Sequence, residues 1–340
     1  MDDERFMRAA LREARRGLGH TSPNPAVGAV IVRGGRILAK GFHRQAGMPH
    51  AEIEALRALK NPASASGATI YVTLEPCSTH GRTPPCVNAI IGAKLARVVV
   101  GTIDPNPAHA GRGIELLRAA GIEVATGVLD EECRELNAAF NKWIVTKIPL
   151  VIAKAGMSLD GRLTRPAGEG QWLTSAPARA DVHRLRAQVD AILIGAGTLR
   201  ADNPRLTVRG VPGARQPWRV VVAGREPLRR DAHLFTDEHR DRTLVYRGKS
   251  LRAVLRDLGR RQITSVMIEG GSRVLGEAFD RRLVDRVQFY LAPLLCGGPA
   301  VVVGGKGAGC TAEALALTHP TYTRIGDDLR LTARVAPSAA

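Results

Sequence analysis

The chain has 340 residues and is 44% apolar, which suits two ordinary domains, and no apolar run approaches the ~20 residues a membrane helix needs. Its net charge is +17, but only eight of the 49 basic residues are lysine, the arginines are scattered and aromatics make up 4%, which argues against a nucleic-acid binder and for a basic surface with anionic small-molecule sites. The start, MDDERFMRAALREARR, is acidic and then amphipathic rather than a secretory signal, and five scattered cysteines do not make a disulfide framework, so a soluble cytoplasmic protein with no membrane association is expected.

Residues 3–17 place Phe6, Met7, Ala10, Leu11 and Ala14 on one helical face. Residues 27–32 and 36–39 read as a strand pair turned by Arg33-Gly34-Gly35. A helix over 51–60, a strand over 69–74, a helix over 86–92, a strand over 96–102, a helix over 112–120 and a short strand over 122–126 follow, and 130–142 reads as one closing helix. That alternation predicts an α/β domain over 1–146. Lys147-Ile148-Pro149 is a plausible boundary. A second α/β series then occupies 147–336, with strands at 149–154, 190–195, 218–223, 264–268 and 286–292 and helices at 177–188, 250–259 and 272–280. The excess charge lies there: residues 1–146 hold 18 basic and 14 acidic side chains, the rest 31 and 18. The tail 336–340 reads as frayed, and no internal repeat is present.

His50-Ala51-Glu52 opens a helix, Glu75-Pro76-Cys77 follows a strand, and Cys86 comes after Pro84-Pro85. Each piece alone is weak, since a lone histidine is usually a satisfied core or surface side chain. Together they match the H-x-E…P-C…C pattern of zinc deaminases. A catalytic zinc takes three protein ligands and keeps one position open for a water that ionises near neutral pH. His50, Cys77 and Cys86 supply the three, and Glu52 is the candidate proton shuttle. Positions i and i+2 of a helix point to nearly opposite sides, so His50 must sit at the helix start, before helical geometry is established. A closed structural zinc site is the alternative; it would need a fourth ligand, for which His80 and His43 are the candidates.

In the second half, Gly195-Ala-Gly197-Thr-Leu-Arg200 misses the last glycine of a dinucleotide-binding fingerprint. Residues 265–279, SVMIEGGSRVLGEAF, read as a strand, two glycines and a helix start. Free N–H groups at such a start suit a phosphate, and a plain strand–turn–helix fits equally well.

Eight residues, Ser78–Pro85, separate the two cysteines, where deaminases usually have two. This loop, with Pro23-Asn24-Pro25, Gly41-Phe42-His43, Gly47-Met48-Pro49-His50, Asp104-Pro105-Asn106-Pro107 and Gly111-Arg112-Gly113, resembles the bifunctional riboflavin-biosynthesis deaminase/reductase family. The resemblance continues through Ser158-Leu159-Asp160-Gly161, Gly168-Glu169-Gly170-Gln171-Trp172, Ala201-Asp202-Asn203-Pro204 and Glu269-Gly270-Gly271, so it covers nearly the whole chain. It implies a cytidine-deaminase-like three-layer domain followed by a dihydrofolate-reductase-like domain. The first would deaminate 2,5-diamino-6-ribosylamino-4(3H)-pyrimidinone 5′-phosphate with Zn2+, and the second would reduce the ribosyl group to ribityl with NADPH. By the same resemblance Asn24 and His43 contact the pyrimidine and Arg82 the phosphate. On the reductase side Gly156, Trp172, Thr198, Asp202 and the run Gly271, Ser272, Arg273, Val274, Leu275 and Gly276 bind NADPH. Gly170, Arg186, Leu206, Arg209 and Glu269 bind substrate, and Lys154 and Asp202 are the catalytic candidates. The family implies a homo-oligomer. The chain departs from the family pattern at Thr79, where histidine is usual, at Gly170, where serine is usual, and at Ala223-Gly224, where Asp-Ser is common. Two alternatives stand beside this reading: a deaminase of another nucleoside or nucleotide with an altered reductase half, and a zinc-stabilised nucleic-acid-binding module.

Overall fold

The computed structural model describes residues 2–79, 85–163 and 172–336. The chain divides into two compact units, one ending at Lys147 and the other starting at Ile148.

The N-terminal unit runs α1 (Asp3–Arg15), β1 (Gly28–Arg33), β2 (Arg36–Phe42), α2 (Ala51–Arg57), β3 (Thr69–Leu74), α3 (Cys86–Gly92), β4 (Arg97–Thr102), α4 (Arg112–Ala119), β5 (Glu123–Thr126), α5 (Asp130–Leu136) and α6 (Ala138–Thr146). Its five strands lie in the order β2-β1-β3-β4-β5, with β1 antiparallel to both neighbours and β3, β4 and β5 parallel. Alternate side chains of one strand enter different cores: Ala29 and Ile31 pack with Ala51 and Ala55 of α2 and Val87 and Ile90 of α3, while Val30 and Val32 pack with Phe6, Met7 and Ala10 of α1. The strand periodicity of two thus makes a three-layer α/β/α unit.

Two glycines set how closely the helices approach this sheet. A Cβ on Gly28 would lie 2.1 Å from the Ala10 carbonyl oxygen of α1, and one on Gly41 would lie 2.3 Å from Ala55 N and 2.4 Å from Ala51 O of α2. Helix backbone therefore rests directly on strand backbone, and the start of α2 is fixed against β2.

The expected closing helix over 130–142 is two helices. Asn137 interrupts them because its buried side chain bonds elsewhere: Oδ1 accepts from Ala26 N at 2.8 Å and Nδ2 donates to Ala26 O at 2.9 Å. An asparagine offering the backbone another partner competes with the helix, and here it ties down the Pro23–Ala26 turn.

The C-terminal unit runs β6 (Leu150–Ser158), α7 (Ala176–Gln188), β7 (Ala191–Gly195), α8 (Ala196–Asp202), β8 (Trp218–Ala223), α9 (His233–Thr236), β9 (Thr243–Arg247), α10 (Leu251–Arg260), β10 (Ser265–Glu269), α11 (Ser272–Asp280), β11 (Arg286–Ala292), β12 (Leu317–Ile325) and β13 (Asp328–Val335). The sheet order is β12-β13-β11-β6-β10-β7-β8-β9; the six strands from β11 to β9 are parallel, and β13 and β12 add an antiparallel hairpin at one edge. Helices α10 and α11 cover one face, and Leu185 of α7, Leu199 of α8 and Leu234 of α9 pack on the other.

The expected strands and helices of this unit are present, and the sequence reading omitted β9, β12, β13, α8 and α9. Strand β12 is mostly exposed, carries Pro320 and slips register between Thr318 and Thr321, so it lacks the apolar alternation of a half-buried strand, whereas β13 does alternate, with Leu329, Leu331, Ala333 and Val335 between polar residues. No described helix is long and apolar enough to cross a membrane.

The Gly41 contact yields a paired prediction. Gly41→Ala forces α2 off the sheet and costs about 1–3 kcal/mol, as overpacking does. Gly92→Ala, at an open helix end with nothing within 4 Å, is neutral or stabilises by up to about 1 kcal/mol. Denaturant unfolding of both variants measures the difference, and equal shifts contradict the packing argument.

Candidate functional sites

His50 is the residue before the first turn of α2, with extended backbone (φ −73°, ψ 167°). That geometry separates its direction from that of Glu52 inside the turn, as their spacing demands. Cys77 lies just past β3, and Cys86 is the first residue of α3. His50 Nδ1 stands 3.5 Å from Cys77 Sγ and 3.3 Å from Cys86 Sγ, and all three ligand atoms fall within 4.8 Å of one another. Tetrahedral zinc with the usual bond lengths of about 2.3 Å to sulfur and 2.0–2.1 Å to nitrogen spaces its ligand atoms roughly 3.6–3.8 Å apart, so this donor set fits the ion. Among the described residues no fourth histidine, cysteine or carboxylate joins the group.

The electrostatics suit a cation. The hydrogen bond with Cys86 pulls the Cys77 thiol down to about 4, and His50 pulls the same way. Cys86 N also donates to Cys77 Sγ at 3.3 Å. Cys86 moves upward through the same thiol pairing and its burial. Glu52 is 3% exposed, and burial pushes its carboxyl up to about 7 against the pull of His50.

His43, expected at the pyrimidine, is buried with both ring nitrogens engaged: Nδ1 lies 3.0 Å from Pro49 O and Nε2 lies 3.2 Å from Asn24 Nδ2. Its ring stands edge-on to His50 with centroids 5.2 Å apart. Asn24 and His43 therefore flank the metal-binding group. Arg82 and Gly170 lie outside the described residues, as does His80.

In the C-terminal unit the parallel register sets Glu269 of β10 beside Lys154 of β6. Lys154 Nζ donates to Glu269 Oε1 at 3.0 Å, and the Arg186 guanidinium donates to both carboxylate oxygens at 2.9 Å. Burial alone would raise the Glu269 carboxyl, but Arg186 and Lys154 hold it far below the usual carboxylate range. Two cavities flank this triad. The larger, about 640 Å³, includes Gly156, Trp172, Thr198, Asp202, Leu206 and Gly270 in its lining. Asp202 sits exposed at its rim with its carboxyl raised by partial desolvation. The smaller, about 240 Å³, shares Lys154, Arg186, Arg209 and Glu269 with the larger.

Gly270 and Gly271 both have positive φ, 123° and 68°, and Thr198 presses within 3.1 Å of where their Cβ atoms would be, so only glycine suits this turn. The run Gly271–Gly276 does not face one way. Leu275 is fully buried in the core, and a Cβ on Gly276 would lie 2.3 Å from the Gly304 backbone. The start of α11, at Gly271, Ser272 and Arg273, has no side-chain cap.

Glu75 is a residue whose part the sequence reading missed. It is 5% exposed, and its carboxylate accepts backbone N–H groups from Asp104 at 3.2 Å, Gly111 at 2.9 Å and Gly113 at 2.9 Å. It ties the segment bearing Cys77 to the 104–113 loop and the start of α4. The signal was its place beside Pro76-Cys77, but amide partners 29, 36 and 38 residues away leave no mark in spacing. Glu75→Gln removes the charge from these bonds and should weaken zinc binding about tenfold, the lower end of the 10–100-fold typical for groups supporting metal ligands. Competition with a chromophoric chelator reads this directly, and unchanged zinc affinity contradicts the role.

The comparisons agree with this geometry. Residues 1–102 match the model of the cytidine and deoxycytidylate deaminase zinc-binding region, and residues 149–331 match that of the RibD C-terminal domain. The riboflavin biosynthesis protein RibD of Aquifex aeolicus is 38% identical over 96% of this chain and 97% of its own length. That of Escherichia coli is 42% identical over 88% and 90%. Among solved structures, RibD of Acinetobacter baumannii superposes with a TM-score of 0.89 at 35% identity, covering 98% of this chain and 99% of that one. The diaminohydroxyphosphoribosylaminopyrimidine deaminase/5-amino-6-(5-phosphoribosylamino)uracil reductase of Thermotoga maritima gives 0.88 at 35%, with the same coverage. A zinc-binding deaminase domain of cytidine-deaminase-like fold, joined to a reductase domain of dihydrofolate-reductase-like fold that takes a nicotinamide cofactor, places this chain in the RibD family of bifunctional riboflavin-biosynthesis deaminase/reductases.

Proposed function

We propose that the N-terminal unit deaminates 2,5-diamino-6-ribosylamino-4(3H)-pyrimidinone 5′-phosphate and that the C-terminal unit reduces the product with NADPH. The observation that carries the first half is the three-donor group His50, Cys77 and Cys86 with the buried Glu52 carboxyl beside it. Zinc held there supplies Lewis acidity that eases ionisation of a water near neutral pH. Glu52 takes a proton from the water as its oxygen bonds to the amino-bearing ring carbon and delivers it to the amino group, which leaves as ammonia when that carbon's C–N bond breaks. Burial suits that exchange, because a carboxyl raised toward neutrality both accepts and returns a proton readily. Asn24 and His43 hold the pyrimidine ring, with His43 oriented by the Pro49 carbonyl.

In the C-terminal unit NADPH supplies the hydride and the protein supplies placement and a proton. Lys154, fixed by Glu269, orients the ribosyl carbon at which the sugar ring opens. Asp202, raised by desolvation, is the proton donor at the rim of the larger cavity. Thr198, Gly270 and the uncapped start of α11 receive the cofactor.

Glu52→Gln tests the deaminase half. Ammonia release should fall by about 10²–10⁴-fold, the worth of a positioned acid–base group, while zinc content stays at that of the native protein. Wild-type ammonia release in this variant overturns the assignment. Asp202→Asn should slow NADPH oxidation on the deaminated substrate by about 10²-fold or more; an untouched rate removes Asp202 from the reductase chemistry.

A further inference from the structure

The segment that carries Asn24 has little sheet to hold it. Strand β1 begins at Gly28, so residues 23–27 lie outside the ladder, and Pro23 and Pro25 have no N–H to donate. Asn24 N donates to Thr21 O at 2.9 Å, a bond within the turn itself. Ala26 is buried, and its backbone N–H and C=O need partners there. Asn137 supplies both: its Oδ1 accepts from Ala26 N at 2.8 Å, and its Nδ2 donates to Ala26 O at 2.9 Å. One amide side chain thus stands in for a missing strand.

Asn137 is itself firmly held between α5 and α6. Its N donates to Arg134 O at 3.2 Å, its carbonyl accepts from Asn141 N at 2.8 Å, and Cys133, one turn earlier, is fully buried in the core shared with α1. Only Pro25 separates Ala26 from Asn24, and its fixed φ makes a short stiff link, so a displacement of Ala26 is carried to Asn24.

His43 depends on the clamp less. Its Nδ1 faces the Pro49 carbonyl at 3.0 Å, and its own carbonyl abuts Gly17, where a Cβ would lie 2.7 Å from His43 O. A carbonyl only accepts, so Nδ1 carries the proton and Nε2 accepts from Asn24 Nδ2 at 3.2 Å. That bond occupies the amide nitrogen of Asn24 and leaves Oδ1 as the atom that accepts from a ring N–H or amino group.

We propose that Asn137, which lies outside the metal-binding group, is a positioning residue for deamination: by holding Ala26 it keeps Asn24 Oδ1 where a donor on the pyrimidine meets it. This rests on Asn24 being a pyrimidine contact, as proposed above.

Steady-state ammonia release by the full-length zinc-loaded protein, compared among the wild type, Asn24→Ala, Asn137→Ala and the double variant, tests it. Asn24→Ala should raise KM for the pyrimidine phosphate about three- to tenfold, the net worth of one hydrogen bond. Asn137→Ala should raise KM by a similar factor, with zinc content and kcat kept, because the ring contact is made equally in the ground and transition states. In the double variant the second change should add nothing measurable, since two residues acting through one contact are not additive. Hydrogen exchange across residues 21–30 reads the clamp without substrate, and Asn137→Ala should speed exchange at Asn24 and Ala26. Raised KM in Asn24→Ala with wild-type KM in Asn137→Ala overturns the proposal and leaves Asn24 at the substrate. KM effects that multiply in the double variant also overturn it, since Asn137 would then support the fold generally. Wild-type KM in Asn24→Ala removes Asn24 from the substrate and the proposal with it, and native exchange in Asn137→Ala removes the clamp.

Discussion

The deaminase site depends on one close approach: α2 lies in backbone contact with β2, with room for nothing larger than glycine at position 41. That contact fixes where α2 begins, and His50 stands at that beginning with its backbone still extended. The other two donors come from a strand exit and a separate helix start, so three segments far apart in sequence meet within 4.8 Å. Glu75 binds one of these segments to the 104–113 loop, and Asn137 clamps the turn that carries Asn24. The surrounding fold thus holds together three donors whose charge a bound metal would neutralise.

The C-terminal unit is organised around a buried charge instead. Glu269 is shielded from water and survives as a carboxylate because Lys154 and Arg186 both reach it. Removing one partner of such a cluster leaves an unpaired buried charge, which costs far more than the net worth of the pair. The register of β6 against β10 creates this arrangement, and the cavities on either side inherit their polarity from it. The deaminase half uses burial to bring a carboxyl toward neutrality, at Glu52. The reductase half uses cations to keep one fully ionised, at Glu269.

Much of this was legible in the sequence. Central strands such as Gly28–Arg33 and Thr69–Leu74 declared themselves as short, nearly continuous apolar runs because both their faces are buried. The H-x-E and P-C…C pieces were readable because zinc restricts ligand type and spacing so tightly. Strand β12 was not readable because it faces water, with little apolar alternation and a proline within it; β13 alternates Leu329, Leu331, Ala333 and Val335 with polar residues, a signal that was present in the sequence. The break at Asn137 was hidden because its cause, the backbone of Ala26, lies 111 residues away. Arg186 was expected at the substrate by resemblance, and only the fold reveals that its fork is bonded to Glu269. The run Gly271–Gly276 likewise read as one binding loop, although Leu275 turns into the core.

The most direct test of the account is a two-stage assay on the purified protein with the ribosylaminopyrimidinone phosphate. Ammonia is followed first without NADPH, in the presence and absence of a zinc chelator, and NADPH is then added and its absorbance followed. Ammonia release that the chelator abolishes is expected, followed by NADPH consumption that requires the deaminated product. Zinc-loaded protein that releases no ammonia would contradict it, because the three-donor site would then be a structural one.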